Sequence, residues 1–115
     1  MPQKNVTDSF IMNQDQVNKV IEKYLKDLGF YNVCPNDKNG YPDVTAEKSG
    51  WKLMVKSKGN QAIKSLGTDM VFDDLQLNTH LSDQMRQLMG FYQHAEKKTI
   101  FILGNPDIER IRNKV

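Results

Sequence analysis

Asp43, Lys56 and Lys58 are the residues of this chain whose types and spacing can do chemistry. Asp43 follows Pro42 in the run Gly40-Tyr41-Pro42-Asp43-Val44-Thr45-Ala46. The lysines close the run Leu53-Met54-Val55-Lys56-Ser57-Lys58-Gly59. Both runs are short and largely apolar, and Ser49-Gly50 between them is a turn signal, so they read as a β-hairpin over 43–47 and 52–58. The first strand begins with a carboxylate and the second ends with lysines. A carboxylate facing a lysine across a hairpin suits metal-dependent phosphodiester cleavage: the acid holds a divalent cation, and the ammonium orients water or stabilises charge on the phosphate. Strand alternation puts Lys52, Met54, Lys56 and Lys58 on one face and Leu53, Val55 and Ser57 on the other. The bland alternative is a solvated strand edge whose lysines deter aggregation.

The flanking elements must hold these residues in place. From Gln14 to Leu28, the spacing of Val17, Val20, Ile21, Tyr24, Leu25 and Leu28 predicts one apolar face of a helix, capped by Asn13 or Asp15 and ended by Gly29. Phe30 to Cys34 reads as a strand, and 35–40, rich in turn formers, as a loop. Ser82 is a candidate cap for a second helix to about Ala95, with Met85, Leu88, Met89, Phe91 and Tyr92 as its apolar positions. Gly90 inside it costs about 1 kcal/mol against Ala, which points to close packing there. Thr99 to Leu103 reads as a strand covered on both faces. Asn105-Pro106 opens a short C-terminal helix with Ile108 and Ile111 on one side. Residues 1–12 read as a loose arm anchored by Phe10-Ile11-Met12. Residues 59–81 are too long for a plain loop, and Met70-Val71-Phe72, Leu75 and Leu77 suggest an extra hairpin or a face covering a partner subunit. The expectation is an α/β domain in the order α-β-β-β-α-β plus a short C-terminal helix, with a central mixed sheet flanked by helices.

Pro42-Asp43, Lys58 and this order of elements together resemble the PD-(D/E)xK nuclease superfamily, which includes many restriction endonucleases and Holliday-junction resolvases. The resemblance covers roughly residues 14–103. It implies a restriction endonuclease-like core, DNA as partner, Mg²⁺ or Mn²⁺ as cofactor, Asp43 and the Ser57 carbonyl as metal ligands, and Lys58 as the catalytic lysine. The family's second motif is acid-any-lysine, and here Lys56 stands in the acid's place. An ammonium ~4 Å from a divalent ion repels it by about 8 kcal/mol at an effective dielectric near 20. Lys56 is therefore expected to pair with Asp43, and the metal to bind weakly or not at all. The substitution reads either as a change that silences a nuclease or as a lineage that kept the fold and lost catalysis. Glu47 shares Asp43's strand face but lies about 13 Å away, too far to share an ion. Glu22 on the first helix is the better substitute, because family members often place an acid there; as a sequence it also reads as a surface residue. Gln87, four residues before Phe91, matches a Gln and an aromatic that some branches carry near the site. Lys64 and Arg86, with Lys56 and Lys58, make a candidate phosphate-binding patch, with solvated surface charge as the alternative. The functional expectation is a DNA-binding, nuclease-like domain with impaired or silent cleavage. The alternative is a non-catalytic interaction module or inhibitor on the same fold. One site per chain suggests a homodimer, since cutting both strands of a duplex usually takes two sites.

Composition is compatible with either reading. The 115 residues suffice for one domain with a modest core. Sixteen basic and 14 acidic residues leave a net charge of +2, which does not by itself demand a nucleic-acid partner. The single Cys34 forms no internal disulfide, and reads as a small buried hydrophobe in a reducing cytoplasm. No apolar run approaches membrane length, and no glycine-rich phosphate cradle suggests a nucleotide cofactor. His80 and His94 lack neighbouring Cys or paired acids and do not read as zinc ligands. Asp73-Asp74 reads as a turn, and Trp51 as strand packing.

Overall fold

Residues 1–36, 38 and 41–114 are described by a computed structural model of the chain. Gly40 of the motif, and Asp37 and Asn39 of the expected loop, lie outside the described residues. The chain runs β1 (Gln3–Lys4), α1 (Gln14–Asp27), β2 (Tyr31–Pro35), β3 (Val44–Lys48), β4 (Trp51–Ser57), a 3₁₀ turn (Ile63–Ser65), β5 (Met70–Val71), α2 (Asp74–Gln93), β6 (Thr99–Gly104) and α3 (Glu109–Arg112). It is an α/β fold around a mixed four-stranded sheet of order β2-β3-β4-β6. β2, β3 and β4 are antiparallel neighbours, and β6 joins β4 in parallel. The hairpin forms as its alternation predicts: Leu53, Val55 and Ser57 are buried, while Lys52 is exposed and Met54 and Lys56 are half-buried.

The buried face of the hairpin packs under α1. Leu25, Val44, Ala46, Leu53 and Val55 form one core cluster, with Ile21, Phe30, Val33 and Ile102 around it. Each buried Leu or Val of the cluster contributes roughly 1.5–3 kcal/mol on leaving water, and Ala46 less. The other sheet face carries α2, where the Tyr92 and Phe101 rings meet edge-on at 5.8 Å between centroids. α1 is capped by Asn13, whose side chain accepts from the Gln16 N–H while the Gln16 side chain accepts from the Asn13 N–H.

Several expectations are corrected. α2 begins at Asp74, well before Ser82, because Asp73 and Gln76 form a second capping box; Asp73-Asp74 is a helix start, not a turn. Phe72, Leu77 and Leu81 then pack with Ile108 and Ile111 in a second core cluster. So much of the apolar character of 59–81 is spent inside this chain, and no longer argues for a partner subunit there. The expected loose arm is also tied down. β1 pairs with β5, Asp8 is buried, and the Met12 carbonyl accepts from the Asn60 N–H at 2.9 Å. Gly59 is required at that crossing, since a Cβ there would collide with the Met12 carbonyl oxygen. Gly90, in contrast, has open space where a Cβ would stand, so the helix glycine does not mark close packing. Cys34 is exposed on β2 rather than buried, because β2 is an edge strand. Pro35 belongs to β2, where an edge tolerates it. β6 is the other edge, so Ile100 and Leu103 stay partly exposed instead of being covered on both faces. Among the described residues no helix is long and apolar enough to cross a membrane.

Candidate active-site cleft

The site lies where β3 begins, β4 ends and the N-terminal turns of α1 approach. Antiparallel pairing of Val44 with Val55 sets Asp43 beside the last residues of β4. The Asp43 N–H donates to the Val55 carbonyl at 2.8 Å. The Asp43 carboxylate is buried and has three donors. Gln14 Nε2 donates to Oδ1 at 2.9 Å, the Ser57 N–H donates to Oδ2 at 2.7 Å, and Lys56 Nζ stands 3.4 Å from Oδ1. The Asp43–Lys56 ion pair expected from the sequence is therefore present, with side chains only 8% and 12% exposed. At 3.4 Å it is longer than a good charge-assisted hydrogen bond.

Amides hold the lysine strand from both sides. Gln14 and Asn18 come from the first turns of α1, and Asn18 Oδ1 accepts from the Ser57 hydroxyl. From α2, Gln84 Nε2 donates to the Lys56 carbonyl at 3.1 Å. The amides of Gln84 and Asn105 donate to each other at 2.9 Å in both directions. Gln84 is almost fully buried. Sequence reasoning missed Gln14, Asn18, Gln84 and Asn105. One signal existed: Gln84 interrupts the stripe Leu77, Leu81, Leu88 at helical spacing, and a polar residue on a core stripe has a partner to satisfy.

These residues open onto a cleft of about 780 Å³. The cleft brings together most of the sequence candidates: Glu22, Asp43, Lys56, Ser57, Lys58 and Gln87 all line it. Gln87 Oε1 is buried there with no hydrogen-bond partner among the described residues. Lys64 lines a smaller adjoining pocket that shares Lys58 and His80 with the cleft. Arg86 lines neither; its guanidinium pairs with Asp83 at 3.2 Å on the helix surface. Of the candidate phosphate patch, Lys56 and Lys58 line the cleft and Lys64 the pocket beside it; Lys19 and Lys38 line the cleft too, as do the acids Asp15, Glu22 and Asp83. Lys58 follows the end of β4, its N–H donating to the Gly104 carbonyl at 3.0 Å. Its ammonium stands 6.0 Å from the Phe72 ring centroid, and it makes no ion pair among the described residues. His80 also lines the cleft, its ring 4.5 Å from that of Phe72. Burial, and then the charge of Lys58, hold the imidazole below its ordinary pKa, against an opposing pull from Asp83.

The donor set does not fit a divalent cation. Both Asp43 oxygens already accept protein hydrogen bonds, and the Lys56 ammonium stands beside Oδ1. Among the described residues no group of three His, Cys, Asp or Glu side chains converges as a metal cluster. Mg²⁺ and Mn²⁺ want several oxygens and no adjacent cation. What the arrangement offers instead is a desolvated carboxylate neutralised by one lysine, with a second lysine free for an anion. Comparison of the chain with protein-family models, curated proteins and solved structures finds no significant match.

Proposed function

We propose that the chain is a DNA-binding domain of the restriction endonuclease-like type, in which Lys56 stands in the place of the metal and phosphodiester cleavage is silent. One observation carries the reading: the Lys56 ammonium stands 3.4 Å from Asp43 Oδ1, where a nuclease of this type holds its metal. Lys58, together with Lys19 and Lys38, supplies further positive charge in the same cleft. The mixed sheet, with α1 leading the hairpin and β6 parallel to β4, supports the reading. In this form the domain binds the phosphate backbone through Lys58, with Lys64 alongside, and does not cut.

The test is Lys56→Glu, assayed on supercoiled plasmid with Mn²⁺ while circular dichroism reports the fold. The substitution removes the ammonium and adds a carboxylate beside Asp43. Nicking is expected to rise from background to a measurable rate. Adding Lys58→Ala is expected to reduce it by roughly a hundredfold or more, the usual effect of removing a charge-stabilising donor. The unaltered chain is expected to bind duplex DNA in a salt-sensitive way. A folded but silent Lys56→Glu protein, in a chain that also ignores DNA, defeats the proposal. The non-catalytic interaction module then takes over as the reading.

A further inference from the structure

The two edges of the central sheet are built differently. β2 is blunted in three ways: Asn32 has a positive φ of 50°, the register slips between Tyr31 and Cys34, and Pro35 removes a donor. These are the devices by which an edge strand is kept from pairing. β6, the opposite edge, has none of them. Its six residues Thr99-Ile100-Phe101-Ile102-Leu103-Gly104 are regular and uncharged. Lys98 and Gly104 turn their carbonyls to β4, where they accept from Lys52 and Lys58. By strand alternation, the N–H and C=O groups of Thr99, Phe101 and Leu103 point outward.

Both helices extend this edge with apolar side chains. On α1, Ile21 lies on Gly104 of β6 and Asn18 reaches inward to Ser57 of β4. At 100° per residue, Val20 and Tyr24 fall on the opposite flank, overhanging the outer side of β6. They are 58% and 62% exposed. On α2, His80, Asp83 and Gln87 line the cleft, which leaves Met85, Met89 and Tyr92 on the other flank. Tyr92 touches Phe101 of β6, so that flank too borders the open edge. With Ile100 and Leu103 between the two stripes, these apolar residues are 36% to 71% exposed, on the order of 100 Å² each, which together approaches the roughly 800 Å² that each partner of a standard-size complex buries.

We infer that β6 pairs antiparallel with the β6 of a second copy of this chain, giving a two-fold dimer with one continuous sheet of eight strands, four from each copy. Phe101 sits on the two-fold axis, and Thr99 faces the partner's Leu103. An axis normal to the sheet keeps each face on its own side. The Val20–Tyr24 stripe then meets its own copy on one face, and the Met85–Met89–Tyr92 stripe meets its own on the other, the self-complementarity an isologous interface requires. In this register Lys97 and Lys98, exposed at the start of β6, stand opposite Asn105 and Gly104 of the partner strand, so no like charges meet across the pair. The cleft lies on the far flank of α2, so pairing leaves it open. This inference does not depend on the proposed function.

Sedimentation velocity from one to fifty micromolar tests it. The unaltered chain is expected to sediment as a dimer at the upper end. Leu103→Pro removes an outward N–H without touching the ladder to β4, and is expected to give a monomer at every concentration. Met89→Lys, at a site 69% exposed on α2, is expected to weaken the dimer at least tenfold without disturbing the monomer fold, and keeps the test valid if the proline variant fails to fold. Leu75→Lys, on an exposed position away from β6, is expected to leave the dimer unchanged. A monomeric unaltered chain overturns the inference, whatever else covers this edge. So does a dimer that survives both Leu103→Pro and Met89→Lys.

Discussion

Asp8 and Arg110 form one ion pair withdrawn from water; Asp43 and Lys56 form another. The first is a fork. Arg110 donates from Nε and Nη2 to the two Asp8 oxygens at 2.7 and 2.6 Å. Its remaining nitrogen reaches the Phe72 carbonyl at 2.9 Å and Asp74 at 3.1 Å. Asn60 donates to the same carboxylate at 3.0 Å, and the Asp8 side chain is 1% exposed. The cluster joins the N-terminal arm, the segment before α2 and α3. The second pair is a single contact of 3.4 Å. The other donors to Asp43 are neutral, and they come from Gln14 and the Ser57 backbone. A guanidinium saturates its partner in a fixed plane, whereas an ammonium is a point charge on a flexible stem. The first pair is therefore part of the structure. The second can be exchanged, because Asp43 keeps two hydrogen bonds when Lys56 is gone.

The largest expected effect tests that contrast directly. Arg110→Met strands a buried carboxylate and is expected to cost about 3–5 kcal/mol in urea unfolding. Adding Asp8→Leu removes the stranded charge and is expected to recover much of the loss. Lys56→Met leaves Asp43 with its two neutral donors and is expected to cost about 1 kcal/mol. Equal losses from Arg110→Met and Lys56→Met end the distinction between a structural pair and an exchangeable one.

Acid titration sharpens the same contrast with a smaller effect. Burial raises the pKa of Asp8, but the hydrogen bonds from Arg110 and Asn60 and the Arg110 charge outweigh it and hold the carboxyl below its usual value. A depressed carboxylate gives stability that is fully present above its unfolded pKa, near 4. That stability is lost as pH falls through the lower folded value. The unaltered chain is therefore expected to lose stability below about pH 4 more steeply than Asp8→Asn, measured as midpoint denaturant concentration against pH. Parallel curves would mean that the fork does not govern the acid limb.

How much of this was legible follows from what each residue signals locally. The hairpin and α1 follow from alternation and helical spacing, which are short-range, and the Asp43–Lys56 pair from the place that the family resemblance gives Lys56. The start of α2 was missed because Asp73-Asp74 also reads as a turn; Gln76, three residues on, is the capping-box partner that decides it. The Asp8–Arg110 pair spans 102 positions in sequence, and nothing near either residue announces the other. The amides around Asp43 share that difficulty, because Gln and Asn are ordinary on solvated helix faces. The exposure of Val20 and Tyr24 reverses the helical-face expectation, since the stripe on α1 is wider than the sheet beneath it. Nothing in the element order says that β6 ends the sheet.

The smallest effect concerns the free charge of the cleft. Burial, then Lys58, depress the His80 imidazole, while Asp83 opposes them. A histidine depressed when folded binds fewer protons than when unfolded. Its contribution to stability is therefore present above pH 6.5 and is lost as pH falls from there through the folded value. Lys58→Met removes the second cause and leaves the first. The His80 pKa is expected to move up toward its ordinary value without reaching it, and the loss of stability on the acid side of pH 6.5 should become shallower. The His80 ring-proton shifts, followed by NMR against pH in both proteins, read this without any assay of activity. The same experiment bears on the two lysines. If Lys58 is the free cation and Lys56 is neutralised by Asp43, Lys58→Met should move His80 more than Lys56→Met does. A His80 pKa indifferent to Lys58 would place that ammonium away from the histidine, and would count against the proposal that Lys58 is the free phosphate-binding charge of this cleft.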